Sequence, residues 1–167
     1  MPILTSRGFS LPEVMVTLAV LVIFSTTAVP SMSALIDQHR ASAYVRQFSQ
    51  HLAYARVAAT SSNLPVKVCP VVGDDCTSQW HSVPVQLALQ YPDATTALLR
   101  ELPLVSNRHK LIFNRDALTF RRDGSLNGFE NGTFVYCGKS DANWHYTLTV
   151  NQAGRNRLSK IASPCPE

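Results

Sequence analysis

Two arginines at alternate positions, Arg155 and Arg157, follow Gly154 near the end of the chain. If Arg155 to Ile161 is extended, both guanidinium groups point to one face. Such a pair can clasp successive phosphates of a nucleic acid, and Gly154 permits a tight turn with close backbone approach. Asn156, between them, is a further candidate donor to sugar or phosphate. Lys160 falls on the other face unless the strand ends first. Arg121 and Arg122 sit in a second turn signal, Arg121-Arg122-Asp123-Gly124, and extend the candidate patch. Contacts of this kind read phosphate charge and not base sequence. The plainer reading is that arginines at a strand edge block edge-to-edge pairing and keep a domain soluble.

Charge distribution supports an acidic partner without requiring one. The net charge is +4 over 167 residues, and the basic excess lies late. Between Arg100 and Lys160 there are ten Lys and Arg against five acids. Catalytic signatures are missing. There is no Gly-x-Ser-x-Gly, no phosphate-binding loop and no His-Glu-x-x-His, and the histidines at 39, 51, 81, 109 and 145 are scattered. The chain therefore reads as a non-enzyme with no metal and no cofactor. Asn131-Gly132-Thr133 reads as a turn rather than a glycan acceptor.

Four cysteines, Cys69, Cys76, Cys137 and Cys165, allow three pairings. A turn-rich Val71-Val72-Gly73-Asp74-Asp75 stretch between the first two suits a local bridge. Cys137 is then left to pin the tail at Cys165. Their spacing resembles no usual zinc pattern, so disulfides in an exported domain are expected.

These groups must be positioned by two unlike regions. Val14 to Ile36 carries no charged residue. As a helix this run would extend roughly 35 Å, enough to cross a bilayer. No small-residue cleavage site ends it, so it is expected to stay in the mature protein. Glu13 stands at its edge. An acid there either sits at headgroup level or needs a partner. Pro12 fits the first helical turn, and Pro30 is expected to kink the helix, which then continues. Ala41, Val45, Phe48, Leu52, Ala55 and Ala59 recur at steps of four and three, an amphipathic stripe. One helix is predicted from near Ser10 to near Ser62.

Beyond Pro65 the periodicity changes to that of strands. Val66 to Cys69, Trp80 to Leu89, Leu98 to Leu104, Lys110 to Phe113, Ala117 to Phe120, Thr133 to Cys137, Trp144 to Val150 and Arg155 to Ile161 are read as extended, with turn residues between them. Antiparallel sheets in two packed faces are predicted.

The segment Arg7-Gly8-Phe9-Ser10-Leu11-Pro12-Glu13-Val14 resembles the class III signal of type IV prepilins and pseudopilins. The resemblance implies cleavage between Gly8 and Phe9 by the prepilin peptidase, and N-methylation of Phe9. It also implies that Glu13, fifth in the mature chain, pairs with the free N-terminus of a neighbouring subunit during filament assembly. Pro12 replaces the more usual apolar residue.

Cys69-Pro70, then Gly73-Asp74-Asp75-Cys76 and Trp80, resemble the GspH/FimT group of minor pilins and pseudopilins. So do Leu118-Thr119-Phe120-Arg121-Arg122-Asp123-Gly124-Ser125, Phe134-Val135-Tyr136-Cys137 and Ala153-Gly154-Arg155-Asn156-Arg157. About Ala88 to Asn114 nothing matches. The implied fold is α+β: a pilin-like long N-terminal helix, transmembrane in its first half, on an antiparallel β-sandwich-like head. The implied organisation is a leader at 1–8, a membrane and filament-core helix at 9–36, its amphipathic continuation at 37–62 and a β-rich head at 63–167. The Gly-Arg-x-Arg ending is similar to the FimT branch, some of whose members are DNA-binding minor pilins of natural transformation. The implied partners are other major and minor pilins, the inner membrane and double-stranded DNA. The implied location is a single pass through the inner membrane with a periplasmic head, then the extracellular pilus. Two alternatives share the N-terminal chemistry: a structural minor pilin that initiates or caps the filament, and a GspH-type pseudopilin of type II secretion.

Overall fold

The computed structural model describes residues 10–139 and 141–166, and it omits the side chains of residues 27–31. The leader, Gly8 and Phe9 lie outside the described residues. The chain divides into two compact units, Met1–Gln38 and His39–Glu167. Helix α1, Leu11–Ser62, begins in the first unit and ends in the second.

In the first unit the Val14 N–H donates to the Ser10 carbonyl, which opens the helix. Pro12 lies in the first turn, where its missing donor costs nothing. Glu13 also lies there and is exposed. Leu11, Met15, Leu18, Ile23 and Phe24 are all exposed. The hydroxyls of Thr17, Ser25 and Thr26 donate back to the carbonyls of Val14, Leu21 and Ile23. That local bonding removes polar groups from an otherwise apolar surface. Among the described residues no helix is long and apolar enough to cross a membrane. The uncharged run expected to do so passes through residues 27–31, whose side chains are outside the description.

The second unit is built on the predicted stripe. Ala41, Val45, Phe48, Leu52, Ala55 and Ala59 are all buried. Five strands form one antiparallel sheet: β1 (Val66–Val72), β2 (Asp75–Cys76), β3 (Val85–Gln90), β4 (Thr96–Leu102) and β6 (Leu118–Phe120). The order is β2-β1-β3-β4, with β6 also on β1. The second sheet has the order β5-β7-β8-β9, from Lys110–Ile112, Gly132–Cys137, His145–Val150 and Asn156–Ile161. Alternation turns Phe134 and Tyr136 of β7, and Tyr146, Leu148 and Val150 of β8, into the core. One cluster joins helix and both sheets. Phe134 stands 4.9 Å from Phe48 and 5.0 Å from Trp80 between ring centroids, and it stacks on Phe113 at 3.9 Å. Edge-to-face pairs of this kind add to area burial.

Trp80 to Pro84 departs from the extended reading. Gln79 to Val83 is a turn, closed by the Ser82 and Val83 amides on the Gln79 carbonyl. The reason is tertiary: the Trp80 ring is buried, and its indole N–H donates to the Arg115 carbonyl at 2.7 Å. That anchor outweighs the β-propensity of the segment.

Cys69 is bonded to Cys76 across the β1–β2 hairpin, and Cys137 of β7 to Cys165 of the tail. His145 supports the same tail, with Nδ1 3.0 Å from the Ser163 carbonyl. His51 and His109 are also buried, each with a ring nitrogen 2.7 Å from its partner, the Gln47 carbonyl and the Tyr136 hydroxyl respectively. These three histidines are thus satisfied structural groups.

Candidate functional site

Strands β8 and β9 are joined by the turn Asn151–Gly154. The Gly154 amide donates to the Asn151 carbonyl, and the Asn151 amide to the Arg155 carbonyl. The Asn151 side-chain oxygen takes the Arg155 amide at 2.9 Å. Gly154 is left-handed, with φ +71°. A side chain would be strained there on backbone grounds alone.

The second turn, Arg121–Ser125, is built the same way. The Asp123 carboxylate accepts from the Ser125 amide and hydroxyl at 2.9 and 2.6 Å. Those bonds, with a smaller contribution from the Arg121 charge, hold its pKa below the ordinary value and keep it ionised. Gly124, φ +76°, completes the turn.

The two turns dock on each other. The Leu126 amide donates to the Gln152 carbonyl at 2.9 Å, and the Gln152 side-chain amide returns a bond to the Leu126 carbonyl at 2.7 Å. Arg56 of α1 donates through Nε to the Gly124 carbonyl at 3.1 Å. Each turn carries a glycine signal in the sequence, but nothing local marks their junction.

On β9 the register sets Arg157 opposite Thr149 and Ser159 opposite Thr147. The Thr149 and Thr133 hydroxyls are 2.9 Å apart. Arg155, Arg157, Thr149 and Ser159 therefore share an outward polar face. A groove of about 380 Å³ runs along it. Arg155 and Arg157 are exposed, and among the described residues no acidic side chain pairs with either guanidinium. Arg122 is likewise exposed, while Arg121 reaches the Asn127 side-chain oxygen at 3.4 Å.

Asn156 is a correction to the sequence reading. Its side chain is turned to the helix and not to the arginine face. Its amide donates to the Ser49 carbonyl at 2.7 Å, and its oxygen lies 3.3 Å from the Ser49 hydroxyl. Strand alternation is the reason: residue 156 pairs with the buried Val150 and must face inward. Lys160 pairs with Tyr146, exposed but on the opposite face from the arginines. The close approach that Gly154 permits is to the Gly124 backbone. Among the described residues no group of histidine, cysteine and acids is placed to hold a metal ion.

Residues 44–154 match the family described as type II transport protein GspH, and residues 4–29 match the prokaryotic N-terminal methylation motif. No curated protein sequence matches the chain. Among solved structures, the type IV minor pilin FimU of Pseudomonas aeruginosa is similar, with a TM-score of 0.58 and 20% identity over 80% of this chain and 97% of that one. The minor pseudopilin EpsH of the Vibrio cholerae type 2 secretion system superposes with a TM-score of 0.52 and 15% identity, over 71% of this chain and 95% of that one. At such identities the likeness establishes the fold, a long N-terminal helix with antiparallel sheets. With the family match spanning most of the second unit, the chain belongs to the GspH family of type IV minor pilins and pseudopilins.

Proposed function

We propose that this chain is a minor type IV pilin that binds double-stranded DNA without sequence preference and supports DNA uptake in natural transformation. One observation carries the reading. Arg155, directly after a docked turn, and Arg157 of β9 share one exposed polar face, with no acidic partner among the described residues. Two cations fixed at strand spacing suit successive phosphates, and preorganisation lowers the ordering cost of binding. Arg122 and Arg121, on the docked neighbouring turn, extend the surface. The contribution of Lys160 is to long-range attraction only, since it faces the other way.

The test is DNA binding by the full chain in neutral detergent micelles. Non-specific affinity is expected at roughly 10⁻⁴ to 10⁻⁶ M, with a salt slope of about −2 to −4 for two to four phosphates neutralised. Arg155→Gln with Arg157→Gln is expected to remove most binding and leave folding intact. Transformation should fall in cells carrying that change while pili still assemble. Undiminished binding by the folded double variant would sink the proposal.

The same reading includes processing between Gly8 and Phe9, methylation of Phe9 and anchorage in the inner membrane. Glu13 is the carboxylate that pairs with a neighbouring pilin's N-terminus, because an ammonium and a carboxylate in lipid need each other. Mass spectrometry of the mature chain should find methylated Phe9 at its start. No catalytic role is part of the proposal. A second reading, a pseudopilin of type II secretion, is favoured by the family description and the likeness to EpsH. It predicts a secretion defect on gene deletion, with transformation unchanged.

A further inference from the structure

Phe129 is the most exposed large apolar side chain among the described residues, at 87%. It does not hang from a loose loop. Its turn, Asn127 to Glu130, closes with the Glu130 amide on the Asn127 carbonyl. The Asn127 amide donates to the Thr119 carbonyl, and the Thr119 amide donates to the Glu130 carboxylate. Both ends of the turn are thus fastened to β6, while the ring is held out in solvent. Gly128, φ +49°, gives the turn its shape and offers no side chain to cover the ring.

Charges of both signs stand near this turn: the Glu130 carboxylate next to Phe129 is held by the Thr119 amide, and arginines lie on the same and the neighbouring segment. Arg121 bonds to Asn127 in the same turn. Leu126, one residue before that turn, exchanges two hydrogen bonds with Gln152 of the turn that carries Arg155. A fixed, exposed aromatic on a turn hydrogen-bonded to arginine-bearing segments can combine a stacking platform with phosphate contacts, which is how proteins hold unpaired nucleotides. A duplex offers no free base face to such a ring.

We propose that Phe129 is a base-stacking subsite, so that the basic turns hold single-stranded DNA more tightly than phosphate contacts alone would. The inference rests on the phosphate-binding reading above and adds the class of nucleic acid. The ring stacks on a base while Arg121, Arg122 and Arg155 meet the flanking backbone. Stacking is indifferent to base identity, so sequence preference stays absent.

Fluorescence anisotropy on the full chain in neutral detergent micelles tests it with three probes: a short oligothymidylate, an abasic oligomer of equal length and charge, and a duplex. Oligothymidylate should bind about tenfold more tightly than the abasic strand. Phe129→Ala should erase that gap and leave the abasic and duplex affinities where they were. Phe129→Trp should keep it. A gap that is absent, or that survives Phe129→Ala, overturns the stacking subsite even if Arg155→Gln with Arg157→Gln still lowers binding to all three probes. If that double change lowers none of them, the phosphate-binding reading itself has failed. If Phe129→Ala leaves every affinity unchanged and instead abolishes pilus assembly, the ring is a contact between subunits.

Discussion

The Gly124 carbonyl oxygen occupies the space that a side chain on Gly154 would need: a Cβ there would stand 2.1 Å from it. The turn of Arg121 and Arg122 and the turn that leads into Arg155 and Arg157 are therefore seated backbone against backbone. Gly154→Ala combines a clash with a left-handed φ. It should cost about 2–4 kcal/mol, the range for backbone strain added to a steric conflict. Denaturant unfolding measures this; a loss below about 1 kcal/mol would mean that the turns are free to move apart.

Asn156 and its arginine neighbours should separate cleanly. Asn156→Ala removes the bond across to the Ser49 carbonyl, which keeps its place in the helix, a part-buried loss worth about 1 kcal/mol. DNA affinity per folded molecule should not change, because the side chain faces the helix. A drop in affinity with no drop in stability would reverse the assignment.

Asp123 sets an ionised carboxylate among the arginines, and removing its charge should strengthen DNA binding. Asp123→Asn keeps an oxygen for the Ser125 amide and hydroxyl, so the turn should persist. Affinity should rise about twofold at low salt and the gain should fade as salt is added. Asp123 has a lowered pKa, so it stays charged above its unfolded value and loses charge only as pH falls through the still lower folded value. In wild-type protein the same gain should therefore appear only in strongly acid solution. Equal affinities at low salt would place the DNA away from this turn.

The two disulfides close loops of unequal length, with sequence separations of 7 and 28. Chain entropy gives about 2.4 kcal/mol for the shorter and about 3.6 for the longer. Replacing Cys137 and Cys165 by serine should accordingly lower stability more than replacing Cys69 and Cys76. Peptide mapping without reductant checks the pairing, and thermal melts check the ranking.

Tyr44, stacked on Tyr136 at 5.3 Å between ring centroids, has its pKa pushed up to about 12 by burial. The folded state holds this proton more tightly than the unfolded chain. Its stabilisation is complete below the ordinary tyrosine value of about 10 and is lost as pH rises towards 12, by an amount on the order of 2 kcal/mol. Melting temperature should fall across that interval, and Tyr44→Phe should flatten the fall. An equal slope in the variant would assign the alkaline loss to other groups.

Several features of this protein follow from the sequence alone because they depend on neighbours a few residues apart. The stripe Ala41 to Ala59 is a helical period, and each of its six members is buried. The alternation in Tyr146, Leu148 and Val150 names the inward face of β8. Alternation likewise places Arg155 and Arg157 together, and it also implied that Asn156 faces away from them. Other features needed the folded chain. Asn156 meets Ser49 across 107 residues, and no local pattern encodes that partner. Trp80 abandons an extended conformation to bury its ring and reach Arg115. β6 leaves its sequence neighbours in the second sheet to pair with β1, which brings the Arg121–Ser125 turn to its place. The seating of Gly154 on Gly124, and with it the joining of the two turns, depends on contacts between segments about thirty residues apart. Local propensity is silent on such contacts, because their energy exists only once the core has brought the segments together.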